Sequence, residues 1–180
     1  MKKLFYLISL LLITQVTGCI VFHSVSYEVN INEDGTGGAK LSIEDINSDA
    51  STKEALDEDV KNILEYALTS KEFIDGLEAE GKRTVSRNIY VEGEKLNATI
   101  SYSFVDISRV EGMQFEDPYY YLTIPVEDSI IYTNGQITKT AEYKRIVWDK
   151  SIKTLKFKMY SDDTNREGLT SLAKFYQKED

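Results

Sequence analysis

Val25-Ser26-Tyr27-Glu28-Val29-Asn30-Ile31 alternates apolar with polar residues, Asn32-Glu33-Asp34-Gly35 interrupts the run, and Ala39-Lys40-Leu41-Ser42-Ile43 resumes it. A period of two places Val25, Tyr27, Val29 and Ile31 on one face of a strand, so two such runs joined by an Asp-Gly turn predict a β-hairpin.

Downstream the period changes. Ser51-Thr52-Lys53-Glu54 has the form of a capping box, and Leu56, Val60, Ile63, Leu64, Ala67 and Leu68 follow at spacings of three and four, with Asp57, Glu58, Lys61, Asn62 and Glu65 opposite. That is an amphipathic helix with one face for a sheet. Thr69-Ser70-Lys71-Glu72 opens a second, shorter helix through Phe73, Ile74 and Leu77, which Gly81 is placed to end. Strand character returns at Val85, Ile89 and Val91, turns at Glu92-Gly93-Glu94-Lys95, and runs on through Leu96, Ala98, Ile100, Tyr102 and Phe104.

Further strands are expected at Tyr119 to Ile124 and at Ile130 to Thr133, where Asn134-Gly135 gives a type I′ hairpin signal. Two more are expected at Ile146 to Trp148 and at Leu155, Phe157 and Met159. Thr164-Asn165-Arg166-Glu167 resembles a third capping box before Leu169, Leu172, Ala173 and Tyr176, which predicts a terminal helix. The fold class is therefore α+β, an antiparallel sheet of hairpins with a helical pair inserted after the first hairpin and a C-terminal helix.

Upstream, Met1-Lys2-Lys3 is a basic start, and the apolar stretch Leu4 to Val16 is too short for a stable membrane span, so residues 1–18 read as a signal peptide. The stretch ends in Val16-Thr17-Gly18-Cys19, which resembles the lipobox of bacterial lipoproteins. The resemblance implies cleavage between Gly18 and Cys19, a diacylglycerol on the Cys19 sulfur, frequent acylation such as palmitate on the new amino group, and a lipid-anchored place in the cell envelope. Two or three acyl chains hold stably, since each buried methylene adds on the order of 0.8 kcal/mol. By resemblance to enterobacterial sorting, Ile20 in place of Asp after the cysteine implies an outer membrane, and the lack of an acidic run in Ile20-Val21-Phe22-His23-Ser24 implies a domain facing the periplasm rather than the cell surface. The expected organisation is a signal peptide over 1–18, a lipidated tether over 19–25 and one α+β domain over 26–180.

Cys19 is the only cysteine, so the mature domain has neither disulfide nor free thiol chemistry. The formal charge of −9 disfavours nucleic acid and anionic headgroups, leaving membrane attachment to the acyl chains. With 42% hydrophobic residues and two prolines, the chain has the material for a core.

The element order also resembles LppM-type envelope lipoproteins, through the opening Tyr27 to Gly35 (Tyr-x-Val-x-Ile-x-x-Asp-Gly), a helical insert over Leu56 to Glu80, and a late strand ending in Trp148. That resemblance implies an envelope role in contact with lipids or glycolipids, without assigning a site.

Few residues suggest chemistry. His23, the one histidine, stands four residues from Cys19, with no G-x-S-x-G elbow or mature thiol to serve. Gly35, Gly37 and Gly38 join two strands and so differ from a phosphate-binding strand-to-helix loop. Zinc lacks its usual ligands. The acidic turns Asn32 to Gly35 and Ser161 to Thr164 lack the ligand alternation of a calcium loop. The aromatic residues Tyr119, Tyr120, Tyr121 and Trp148 are the candidate ligand or partner contacts, although strand and core packing account for the same residues. Lys144, Lys153, Lys156 and Lys158 form either a solvated face or a docking surface for an acidic partner.

The expectation is a non-enzymatic envelope lipoprotein without cofactor or metal, serving as a binding or interaction module for an envelope protein or lipid. The alternatives are a lipid or glycolipid carrier with an apolar pocket between helices and sheet, and a carboxylate-dependent hydrolase.

Overall fold

The computed structural model describes residues 19–160 and 167–176, except for the side chain of Val85. The expected signal peptide, and Thr164, Asn165 and Arg166 of the third capping pattern, lie outside the described residues.

Strands β1 (Ile20–Val21), β2 (Ser24–Ile31), β3 (Gly37–Glu44) and β4 (Asn47–Ser48) lead into helix α1 (Lys53–Lys61), a π-helical stretch (Asn62–Ala67) and helix α2 (Lys71–Ala79). Then come β5 (Lys82–Glu92), β6 (Lys95–Phe104), a 3-10 turn (Ile107–Arg109), β7 (Gln114–Glu116), β8 (Tyr119–Pro125), β9 (Ile130–Thr133) and β10 (Gln136–Lys139). The last elements are β11 (Tyr143–Asp149), β12 (Thr154–Tyr160), β13 (Thr170–Ser171) and a 3-10 turn (Leu172–Phe175). The fold is mixed α+β.

One sheet is the sequence expectation; among the described residues the strands divide into three antiparallel sheets, ordered β5-β6-β3-β2-β12-β9, β10-β11-β8-β7 and β1-β4-β13. Pairing sets Tyr27 beside Leu41 and Phe157, Val29 beside Ala39 and Leu155, and Ala39 beside Tyr102, which makes one face of the large sheet apolar. Leu122 beside Ile146 and Tyr120 beside Trp148 supply the facing surface of the four-stranded sheet. These faces join as one core, to which Ile107, Val110 and Met113 of the β6–β7 connection also belong. Trp148, Ile146, Leu155 and Val29 are fully buried there, each worth roughly 1.5–3 kcal/mol in apolar burial.

The same face of β6 continues to Ala98 and Leu96, past the reach of the second sheet. Here Ile89, Leu96, Ile46 and Leu172 form a separate cluster covered by Leu56, Val60, Ile63 and Leu64 from the helices. Arg87 ties the helices to β5 by donating to the carbonyls of Ala67 and Ser70 at 3.1 and 2.9 Å.

Four local expectations change. The helix caps fall one residue later than the boxes suggest: Thr52 accepts from Ala55 N and Ser70 from Phe73 N. The Asn134-Gly135 turn closes no hairpin, because β9 pairs with β12 in the large sheet and β10 with β11 in the other. It carries the chain across the sandwich. A Cβ on Gly135 would lie 2.7 Å from Trp148 Nε1 and 2.8 Å from the Val147 carbonyl, so glycine is needed for close approach and not for a primed turn.

The stretch from residue 20 to 25 is not a tether. Ile20 pairs with Ser48 and Val21 with Asn47, Val21 is buried, and β2 has begun by Ser24. The edge of β4 offers these residues backbone partners, and Ile20 and Phe22 find apolar cover in the helix-side cluster.

The terminal helix is likewise absent among the described residues. Gly168 takes φ +81°, Thr170–Ser171 pairs with β4, and only the 3-10 turn follows, with the Ala173 amide donating to the Ser171 hydroxyl. Fully buried Leu172 packs in the helix-side cluster from that turn, so the periodicity of Leu169, Leu172 and Tyr176 reflects burial without a helix.

Candidate functional site

Strand alternation separates the expected aromatic contacts. Tyr120 pairs with Trp148 on the core side, and Phe115 lies against it with ring centroids 4.7 Å apart. Trp148 is wholly buried, and its indole N–H donates to Asn134. It is a core residue, not a contact surface. Tyr119 and Tyr121 lie on the outer face of the four-stranded sheet, Tyr119 half-exposed at the end of β8.

Tyr121 belongs to a group that its sequence neighbours do not reveal. It pairs with Val147 and Gln114, and one row further along Thr123 pairs with Arg145. The Arg145 guanidinium lies 4.4 Å from the Tyr121 ring centroid and 5.2 Å from that of Tyr143, while its Nε donates to Thr123 Oγ1 at 3.1 Å. Stacking of this kind neutralises no charge but fixes the guanidinium plane against two rings. The Tyr121 hydroxyl donates to Gln114 Oε1 at 2.5 Å.

Beside this platform opens a cleft of about 480 Å³, lined by Glu111, Gln114, Tyr121, Thr123, Glu127 and Tyr143, with Glu142, Ile124 and Pro125 completing the wall. Three carboxylates and two tyrosines dominate its chemistry. It opens on the outer side of the sheet and touches the sandwich core through Ile124 and through Glu111, the partner of buried Tyr27.

The lip of the cleft is strained. Glu111 has φ +51° and Gly112 follows at +70°, two consecutive left-handed residues of which only one is glycine. Glu111 is held there by the core, since the hydroxyl of buried Tyr27 donates to Glu111 Oε1 at 2.7 Å. Burial, followed by the adjacent Glu111 charge, pushes the Tyr27 phenol well above its usual range, so it remains a donor throughout the neutral and mildly alkaline range. Sequence reasoning missed Glu111, Glu127, Glu142, Tyr143 and Arg145. The Tyr143-x-Arg145 alternation was the one available signal, and it acquires meaning only once β11 is registered against β8.

Cys19 is exposed at the edge of the fold. Its amide donates to the Asp49 carboxylate, and the Asp49 amide returns a bond to the Cys19 carbonyl at 3.2 Å. His23 packs edge-on against Tyr160, with ring centroids 5.2 Å apart. Three of the expected lysines are engaged within the domain: Lys156 with Glu28 at 3.0 Å and Lys158 with Glu44 at 2.6 Å on the six-stranded sheet, and Lys144, on β11 of the other sheet, with the Asp128 carbonyl.

Among the described residues no group of three or more His, Cys, Asp or Glu side chains is arranged to hold a metal ion, and no helix is long and apolar enough to cross a membrane. Compared with protein-family models and with curated proteins, the chain finds no match.

Proposed function

We propose that the chain is a membrane-anchored envelope lipoprotein, lipidated at Cys19, which acts as a non-enzymatic binding module through the cleft beside Tyr121 and Tyr143. The observation that carries the anchor is the position of Cys19. The lone cysteine, directly after Val16-Thr17-Gly18, is exposed, and the next residue, Ile20, enters strand β1. A lipid there would point into solvent without disturbing either core cluster.

For the binding role the support is the contrast between interior and surface. The sandwich interior is occupied by Trp148, Phe157, Leu155 and Ile146, and the helix-sheet interface by Leu96, Ile89 and Leu172. The open cleft instead presents Tyr121 and Tyr143, held by the Arg145 guanidinium between their rings and rimmed by Glu111, Glu127 and Glu142. Such a lining suits a polar partner that brings positive charge, and suits an acyl chain poorly.

Two measurements test the reading separately. Replacing Cys19 by Ser abolishes metabolic labelling by palmitate and leaves the precursor uncut; normal processing of that variant overturns the anchor. For the cleft, a short peptide of alternating lysine and glycine, titrated into the chain and followed by NMR, shifts the amides around residues 111, 121, 127 and 143. Tyr121→Ala weakens that response several-fold with the charge unchanged. Shifts scattered over all acidic surfaces, unaffected by Tyr121→Ala, overturn the cleft assignment.

A further inference from the structure

Resting on the lipid anchor at Cys19, we infer that the pole of the domain formed by the β1-β4-β13 sheet sits directly on the headgroup layer of the bilayer, with the domain held at a fixed orientation.

The inference follows from the lack of slack between lipid and fold. A tether adds up to about 3.5 Å of reach for every extended residue, but none is present here. Ile20 and Val21 pair with β4, Val21 is buried, and β4 is itself paired on its other side with Thr170–Ser171. Cys19 is fixed one step further along by two bonds with Asp49. Cleavage before Cys19 leaves an N–H donor whether the new amino group is a free ammonium or an acylated amide. The Asp49 contact therefore persists in both mature forms and becomes an ion pair in the first. Only the cysteine side chain and its glycerol then stand between β1 and the acyl chains.

The pairing identifies which surface faces the lipid. Ser24 and Glu44 stand at the anchored end of the β2–β3 pair, and the Ser171 hydroxyl donates to the Glu94 carbonyl, bringing the β5–β6 turn to the same end. The Asp34-Gly35 turn lies at the other end of β2, roughly 25 Å away at about 3.3 Å per residue. Ser51, exposed two residues beyond Asp49, marks the near pole, and exposed Glu33 marks the far one.

The test uses the full chain, processed in a bacterial host and reconstituted in phosphatidylcholine vesicles carrying a small fraction of nickel-chelating lipid. A thioether-linked Cys19 does not react with a thiol-specific nitroxide, so Ser51→Cys and Glu33→Cys each give one labelled position. The expected result is power saturation of the label at residue 51 changed several-fold more by the nickel headgroups than at residue 33. Eight glycine and serine residues inserted between Cys19 and Ile20 should abolish that difference. Equal effects at both positions in the anchored, uninterrupted chain overturn the seated orientation and leave the anchor standing. A chain that fails to float with vesicles, and whose Cys19 takes up the label, overturns the anchor and the seating together.

Discussion

The indole Nε1 of Trp148 donates to Asn134 Oδ1 at 2.8 Å, and the same oxygen accepts the Lys156 amide at 2.8 Å. Asn134 Nδ2 donates in turn to the Thr154 carbonyl at 2.8 Å. One side chain at the crossing between β9 and β10 thus joins the strand that carries the central tryptophan of one sheet to an inner strand of the other.

Asn134→Ala strands the buried indole donor and is expected to cost about 1–3 kcal/mol. Asn134→Asp keeps the acceptor for the indole and the Lys156 amide, where its charge strengthens both bonds, and sets an oxygen against the Thr154 carbonyl in place of the donor; with the buried indole still paired it should cost less. Urea midpoints at unchanged slope measure both. Equal losses would mean that the acceptor is dispensable.

Asp59 projects from α1 into a buried position, where its Oδ2 accepts from Ser48 Oγ at 2.5 Å. Burial holds its carboxyl above the ordinary range, against the opposing effect of the Ser48 bond, with Asp49 and Glu58 adding to the rise. The folded chain therefore binds this proton more tightly than the unfolded one. The contribution to stability is complete below the unfolded pKa, about 3.9, and is lost as pH rises through the raised folded value. Asp59→Asn retains an acceptor for Ser48 and removes the charge. Its melting temperature should exceed that of the parent at pH 7 and match it near pH 3. Thermal denaturation at the two pH values decides.

Glu111 combines a left-handed backbone with the bond from Tyr27. Glu111→Gly and Glu111→Ala both lose the bond, but only glycine relieves the backbone, a difference of about 1–2 kcal/mol. The glycine variant should therefore be the more stable of the two in chemical denaturation. The reverse order would show that the residue is not strained.

How far the sequence could be read depended on whether a signal was local. The Tyr27 to Ile31 and Ala39 to Ile43 alternations, the Leu56 to Leu68 periodicity and the Gly81 stop each concern one element and its immediate turn, and each has its counterpart in β2, β3, α1 with its π-helical extension, and α2. Asn134-Gly135 misled because its usual conformational meaning is one of two ways to need that pair. Here close contact with Trp148 and side-chain bridging replace the primed turn. Ile20 to Ser24 looked like a linker because its partners Asn47 and Ser48 are more than twenty residues away. The cleft was hidden for the same reason. Tyr121, Arg145 and Glu111 come from three separate stretches of chain, and only inter-strand register brings them together, whereas the adjacent tyrosines at 119 and 120 are divided between the two faces.

The six-stranded sheet is sealed along its inner face, Leu96 as fully as Val29, but its two covers differ in depth. Where the second sheet covers it, Val29, Leu155, Ile146 and Trp148 are sealed from water; where the helices cover it, Leu56, Val60, Ile63 and Leu64 remain partly wet, and a π-helical stretch interrupts the run between α1 and α2. Amide exchange under native conditions should accordingly begin in the helical cover and reach β2, β11 and β12 last. The molecule loosens from its helical side while the sandwich stays shut, so a weakened helix lowers its resistance to proteases well before it erases the fold.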